Sequence, residues 1–212
     1  MDNKKEVIAE IVAREWEMFQ NVKNIGGRAA CQDDYDTFKI HRLSQSESWS
    51  ISTLESYLAD LKNADENDRN LLSEKYARMM AFTSPVEYQQ IAHLLPPLEE
   101  DIPALIDRIL DIVLEWEREL ADKYPYLIQR SRPIYASQDT ADVTSFETYL
   151  RGELMTYSLG TLRQYLSDIL RQRDEGISGS EIVLESIVKQ YGYASLQQAN
   201  SNIMAQSKAE SE

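Results

Sequence analysis

The sequence predicts an all-α protein, a single-domain irregular multi-helix bundle of about eight or nine helices. Between Gly27 and Pro85 the chain holds neither a glycine nor a proline. Its apolar residues recur at steps of three and four, the helical period and not the strand period. Hydroxyl residues followed three positions later by Glu or Gln recur as well, and in that spacing the two side chains satisfy each other's orphan backbone amides at a helix start.

In chain order, the first helix is expected over 3–21 and ends at Gly26 and Gly27, and the second covers 33–49. Ser52 with Glu55 opens a third at 52–64, and a fourth follows at 68–82. Ser84 and Glu87, with Pro85 at the first helical position, open a fifth over 85–95 that Pro96 and Pro97 close. The sixth, 99–122, stops before Pro125. Thr144 with Glu147 opens a seventh at 145–173, ended by Gly176. Ser178 with Glu181 opens an eighth at 180–190, ended by Gly192, and Ser195 with Gln198 opens a ninth at 195–206.

The stretch 131–143 is neither glycine-rich nor strongly charged, and the helix after it is apolar enough to need burial against the earlier ones. One domain over 1–205 is therefore expected, with a solvated, disordered tail at 206–212, QSKAESE. No fixed-period repeat is present.

The 212 residues carry 22 lysines and arginines against 36 acids, a formal net charge of -14. That balance argues against a nucleic acid or an anionic membrane as partner. One cysteine, Cys31, and two histidines, His41 and His93, leave no material for disulfides, zinc knuckles or multi-histidine metal sites, so no cofactor or metal is expected. A di-iron centre would need Glu three residues before each histidine, where Phe38 and Gln90 stand. No H-E-x-x-H or G-x-S-x-G occurs. The amino terminus lacks a signal peptide's apolar block, and the most apolar stretch, 102–116, is broken by Asp107, Arg108, Asp111 and Glu115. The expected address is the cytoplasm, where a lone thiol stays reduced.

Charged residues on faces meant for the core carry the functional signal. In the first helix Ile8, Ile11, Val12, Trp16 and Phe19 form the stripe, and Glu15 completes it. In the second, Tyr35, Phe38 and Trp49 share a face with Asp34, Arg42 and Gln45. Lys75 falls among Leu71, Leu72, Tyr76, Met79 and Phe82, with Arg78 at the edge. In the seventh, Glu153 lies between Tyr149 and Tyr157 at steps of four. A lone buried charge costs several kcal/mol, so none of these can be buried unpaired, and two acids, Glu15 and Glu153, balance two bases, Arg42 and Lys75, which suits one shared internal cluster. Tyrosine hydroxyls would fill the remaining hydrogen bonds. The plainer alternative is a structural ion-pair network, or edge positions whose charged heads reach water.

A second constellation is NIGGRAACQDD, residues 24–34. Paired glycines with Arg28 suit an anion cradle, although the lysine and hydroxyl of a P-loop are missing; a helix stop followed by a helix start explains the same residues. Cys31 near the following helix start is either a nucleophile or a small packing residue.

At NIGGRAACQDDYDTFKIHRLSQ, NLLSEKYARMM, SFETYLRGELMTYS and YGYASLQQA the chain resembles an uncharacterised bacterial family of domains of unknown function, over nearly its whole length. The family's pattern covers Glu15, Trp16, Gly26, Gly27, Arg28, Cys31, Gln32, Asp34, Arg42, Gln45, Lys75, Tyr76, Arg78, Tyr149, Glu153 and Tyr157. His41 departs from it, standing where methionine is expected. The resemblance implies a soluble helical protein and no established activity.

The expectation is a small enzyme or enzyme-like protein that binds a small anionic, amino-acid-like molecule without metal. Glu15 or Glu153 would be the general base with its pKa raised by burial. Lys75, Arg28, Arg42 and Arg78 would hold the anionic group, with Asp34 and Gln45 beside them. Tyr149 and Tyr157 would orient substrate or shuttle a proton, and Cys31 is a further catalytic candidate. The alternative is a non-enzymatic interaction or regulatory module that docks onto another protein; a carboxylate-only metal site is a third.

Overall fold

The computed structural model describes residues 3–23, 27–140 and 142–209. Eleven α-helices and three short 3-10 turns occur among them, with no strand. They are α1 Asn3–Gln20, α2 Tyr35–Glu47, α3 Ile51–Glu66, α4 Leu71–Thr83, α5 Pro85–Ile91, α6 Ile102–Lys123, α7 Pro125–Ile128, α8 Phe146–Leu154, α9 Leu159–Asp174, α10 Gly179–Gln190 and α11 Leu196–Ala209.

The expected eight or nine helices become eleven for two reasons. A four-residue turn, α7, follows Pro125 at once, because proline at the first position restarts a helix as readily as it stops one. The expected single helix over 145–173 breaks at 155–158, where the Ser158 side chain accepts the Thr161 amide and starts α9. Two other starts shift. Ser50, not Ser52, caps α3, and Ser145, not Thr144, caps α8. Asn70 caps α4, and Ser178 caps α10 as expected. Gly176 and Gly192 end α9 and α10 at φ +69° and +89°, a conformation glycine adopts without strain. The carboxyl end also differs: α11 runs to Ala209, past the point where a tail was expected to begin. The expectation placed on Gly26 lies outside the described residues.

Six helices close a ring, each packing on the next in the order α1, α3, α9, α6, α10, α2 and back to α1. The pair α4 and α8 bridges it, α4 against α1 and α8 against α6. Inside lie Ile11, Leu54, Leu61, Ile106, Ile109, Leu154 and Leu162, all nearly or wholly excluded from solvent. The core draws on helices before and after the 131–143 connection. That connection is itself tied to α8: Asp139 accepts hydrogen bonds from the Ser145 amide and the Thr148 hydroxyl, both at 2.5 Å. A smaller cluster of Leu120, Tyr124, Val188, Leu196 and Ala199 joins α6, α10 and α11.

α4 and α8 approach closely at Gly152. A methyl group there would stand 2.5 Å from Met79 Cγ and 3.1 Å from the Lys75 backbone oxygen. Met79 can move aside, but a helix backbone cannot, so overpacking outweighs the gain in helix propensity. Gly152→Ala should cost about 1–3 kcal/mol in denaturant unfolding. Gly160→Ala, whose nearest neighbours would lie at 3.7 and 3.8 Å, should be neutral or stabilise by up to about 1 kcal/mol.

Candidate functional site

The four inward charges do meet. Glu15 of α1 is fully buried, and Arg42 of α2 grips it with two donors, Nε to Oε2 at 2.7 Å and Nη2 to Oε1. The Tyr57 hydroxyl of α3 donates to Glu15 Oε1 at 2.7 Å. Arg42 Nη1 turns the other way, donating to Glu153 Oε1 at 3.1 Å and to Gln45 Oε1 at 2.8 Å. Glu153 Oε1 also accepts from Gln45 Nε2 at 2.9 Å and from the Tyr157 hydroxyl at 2.8 Å. Lys75 of α4 donates to Glu153 Oε2 at 2.5 Å. Two positive and two negative groups thus satisfy one another in a buried ion-pair network.

The same packing sets proton affinities. Burial alone would raise the Glu153 pKa, but Arg42 and Lys75 outweigh it and hold the carboxyl well below its usual range. This reverses the raised pKa expected of Glu153 as a general base, because two cations lie in direct contact with it. Burial and Glu15 push the Tyr57 phenol up, and burial with Glu153 does the same to Tyr157. Tyr149 is the exception. The Lys75 ammonium sits 3.4 Å from its ring centroid and lowers its pKa against the effect of burial. Arg132 approaches the same ring at 4.7 Å.

Of the expected site residues, Glu15, Arg42, Gln45, Lys75, Tyr149, Glu153 and Tyr157 come together. The others do not join them. Asp34 caps α2, accepting the Thr37 amide at 3.0 Å, and is exposed. Arg28 is tied into its own loop, donating to the Gln20 and Gln32 carbonyls and to Asp33. Gln32 pins that loop from beneath, its amide donating to the Phe19 and Val22 carbonyls. Cys31 is an exposed free thiol in the 3-10 turn Ala30–Asp33.

Arg78 stands apart, and it is only 5% exposed. Its Nη2 donates to the Pro96 carbonyl at 2.7 Å, while its Nε is buried with no partner. Burial lowers its pKa against the pull of Glu74, yet a guanidinium stays charged. It lines a cleft of about 200 Å³ with Arg69, Leu71, Leu98, Ile102 and Ser158. A second cleft of about 430 Å³ runs along Glu17, Asn21, Asp65, Asp68 and Asn70. Neither is lined by Glu15, Lys75 or Glu153.

Helix phase alone missed two buried polar anchors. Tyr57 reads as one more core residue between Leu54 and Leu58, although a buried phenol must find an acceptor. Asp168 of α9 accepts from the Ser50 amide at 2.7 Å and the Thr53 hydroxyl at 2.6 Å, which fixes the start of α3. Among the described residues, no group of three or more His, Cys, Asp or Glu is placed to hold a metal ion, and no helix is long and apolar enough to cross a membrane.

A family model described as "Protein of unknown function (DUF4125)" matches residues 5–201, and the chain belongs to that family. No curated protein and no solved structure matches it.

The network's charge balance makes a testable asymmetry. Glu153→Leu or Lys75→Met alone leaves one buried charge uncompensated and should cost about 3–5 kcal/mol. The double variant restores neutrality and should unfold at higher denaturant than Glu153→Leu alone. Because the folded Glu153 pKa lies below its ordinary 4.5, its contribution is complete above that pH and is lost as pH falls below it. The wild type should therefore lose more stability on acidification than Glu153→Gln, as read by chemical denaturation across pH.

Proposed function

We propose that this family member is a small cytoplasmic binding protein for an anionic small molecule, seated in the cleft that Arg78 floors. The buried guanidinium carries the reading. Arg78 enters no salt bridge among the described residues: its Nη2 donates to the Pro96 carbonyl, and its Nε, itself closed off from solvent, has no partner. A buried cation without a counter-ion is costly, and an anionic ligand would supply what the fold does not. The cleft sets this guanidinium beside Arg69, two carboxylates, Asp60 and Glu99, and apolar side chains at Leu71, Leu98 and Ile102, so a ligand there meets both signs of charge as well as apolar surface.

The internal network serves as the scaffold behind this cleft. Tyr157 belongs to both: its hydroxyl binds Glu153 and its residue lines the cleft. Binding is better supported than acid–base catalysis by Glu15 or Glu153. Glu15 is engaged by Arg42 and Tyr57, and all four donors to Glu153 are side chains of the chain itself.

A second reading, an interaction or regulatory module, draws on the segment after α4. Helix α5 has no buried residue, and Phe82 at the end of α4, Val86 on α5 and Leu94 in the 3-10 turn after it stand 44%, 67% and 71% exposed. Such side chains suit a protein partner.

A thermal-shift screen of carboxylates, amino acids, nucleotides and divalent ions on the wild type and on Arg78→Met separates the two. Anionic compounds should raise the melting midpoint of the wild type only. A ligand at a hundred times its Kd adds about 2.7 kcal/mol, well within detection. If no anion shifts the wild type, binding at Arg78 falls and the interaction module stands ahead.

A further inference from the structure

The class of anion follows from what else faces the cleft. Arg69 cannot serve as a second cation, because its Nε and Nη2 both donate to Glu74, each at 2.8 Å. Two carboxylates also line the space, Asp60 and Glu99. Asp60 Oδ2 accepts the Ser158 amide at 2.9 Å, which holds this acid at the wall. With Arg69 neutralised by Glu74, one positive and two negative groups remain around about 200 Å³.

That arrangement disfavours simple anions. A phosphate dianion would gain one guanidinium and face two acids. A plain monocarboxylate would satisfy Arg78 and leave Asp60 and Glu99 opposing its own charge. A ligand carrying an ammonium beside its carboxylate meets both signs. The remaining walls, Leu71, Leu98, Ile102 and the Pro96–Pro97 turn, offer apolar surface to whatever joins them.

We propose that the cleft binds a zwitterionic amino acid with an apolar side chain, its carboxylate on the Arg78 guanidinium, its ammonium toward Asp60 and Glu99, and its side chain against Leu71, Leu98 and Ile102. This rests on the anion-binding reading above and narrows it to one class. It also accounts for Arg78 being left bare. Lys75, one turn earlier on the same helix, has its counter-ion in direct contact, whereas Arg78 has Glu74 nearby but no salt bridge.

The test is methyl NMR of the full chain, following Leu71, Leu98 and Ile102, titrated with four probes: leucine, N-acetyl-leucine, leucinamide and inorganic phosphate. Leucine should shift these methyls saturably. Blocking either its amine or its carboxylate should weaken binding by at least about tenfold. Arg78→Met should abolish the leucine response while melting no lower than the wild type, since a bare buried charge has been removed; melting well below it would make Arg78 structural and overturn the proposal. Asp60→Asn keeps an acceptor for Ser158 and should weaken leucine without weakening N-acetyl-leucine. If N-acetyl-leucine or phosphate binds as well as leucine, the amino group is not read and the zwitterion proposal fails while the anion seat survives. If none of the four probes moves the methyls, both fail.

Discussion

Four donors converge on the carboxylate of Glu153, and a carboxylate has about four lone-pair positions to fill. Arg42 and Gln45 come from α2, Lys75 from α4, and Tyr157 from the turn after α8. Apolar packing holds helices together but is tolerant of sliding; a set of directional bonds to one buried group is not. Glu15 extends the constraint to α1 and α3 through Arg42 and Tyr57. Five helical segments are thereby fixed relative to one another at one place. The missing side chain of Gly152 belongs to the same constraint, because it lets the backbone of α4 come close enough for Lys75 to reach the neighbouring residue.

Several other polar side chains of the interior serve the places where the chain enters or leaves a helix. Asp168 holds the start of α3, and Gln172 binds the Ser48 carbonyl at 2.8 Å just before it. Gln32 closes the segment after α1, and Asp139 holds the start of α8. Each satisfies backbone amides or carbonyls that helix ends leave open, in places where water cannot do so.

This division explains what could be read from residues alone. Glu15, Arg42, Lys75 and Glu153 were legible because a charge on an apolar stripe violates helical phase, and their signs had to balance once buried. The all-helical class was legible from period and caps. Tyr57 was hidden because its ring obeys the apolar pattern and only its hydroxyl does not. The break at 155–158 was hidden because Tyr157 keeps a spacing of four from Glu153, so a helix end looks like a continuing stripe. Caps at Ser50 and Ser145 replaced the expected Ser52 and Thr144. Asp168 selects Ser50 from the neighbouring helix α9, and Asp139 accepts from the Ser145 amide, so tertiary partners decided between neighbouring hydroxyls. Arg28 and Cys31 carried suggestive chemistry, yet their loop needs Arg28 for its own carbonyls.

Lys75 and Arg78 show two ways a buried cation is accommodated on one helix. They stand three apart on α4, and each is 5% exposed. Lys75 meets a carboxylate and an aromatic ring, so its desolvation is offset within the chain. Arg78 meets one carbonyl and feels Glu74 without forming a salt bridge to it. Of the two, only Lys75 is in direct contact with a carboxylate. In a marginally stable domain even a partly compensated buried cation takes a noticeable share of the total stability. The polar interior of this protein therefore divides at α4: on the side facing α8 Lys75 meets Glu153, and on the side facing Pro96 Arg78 meets a carbonyl and keeps one donor without a partner.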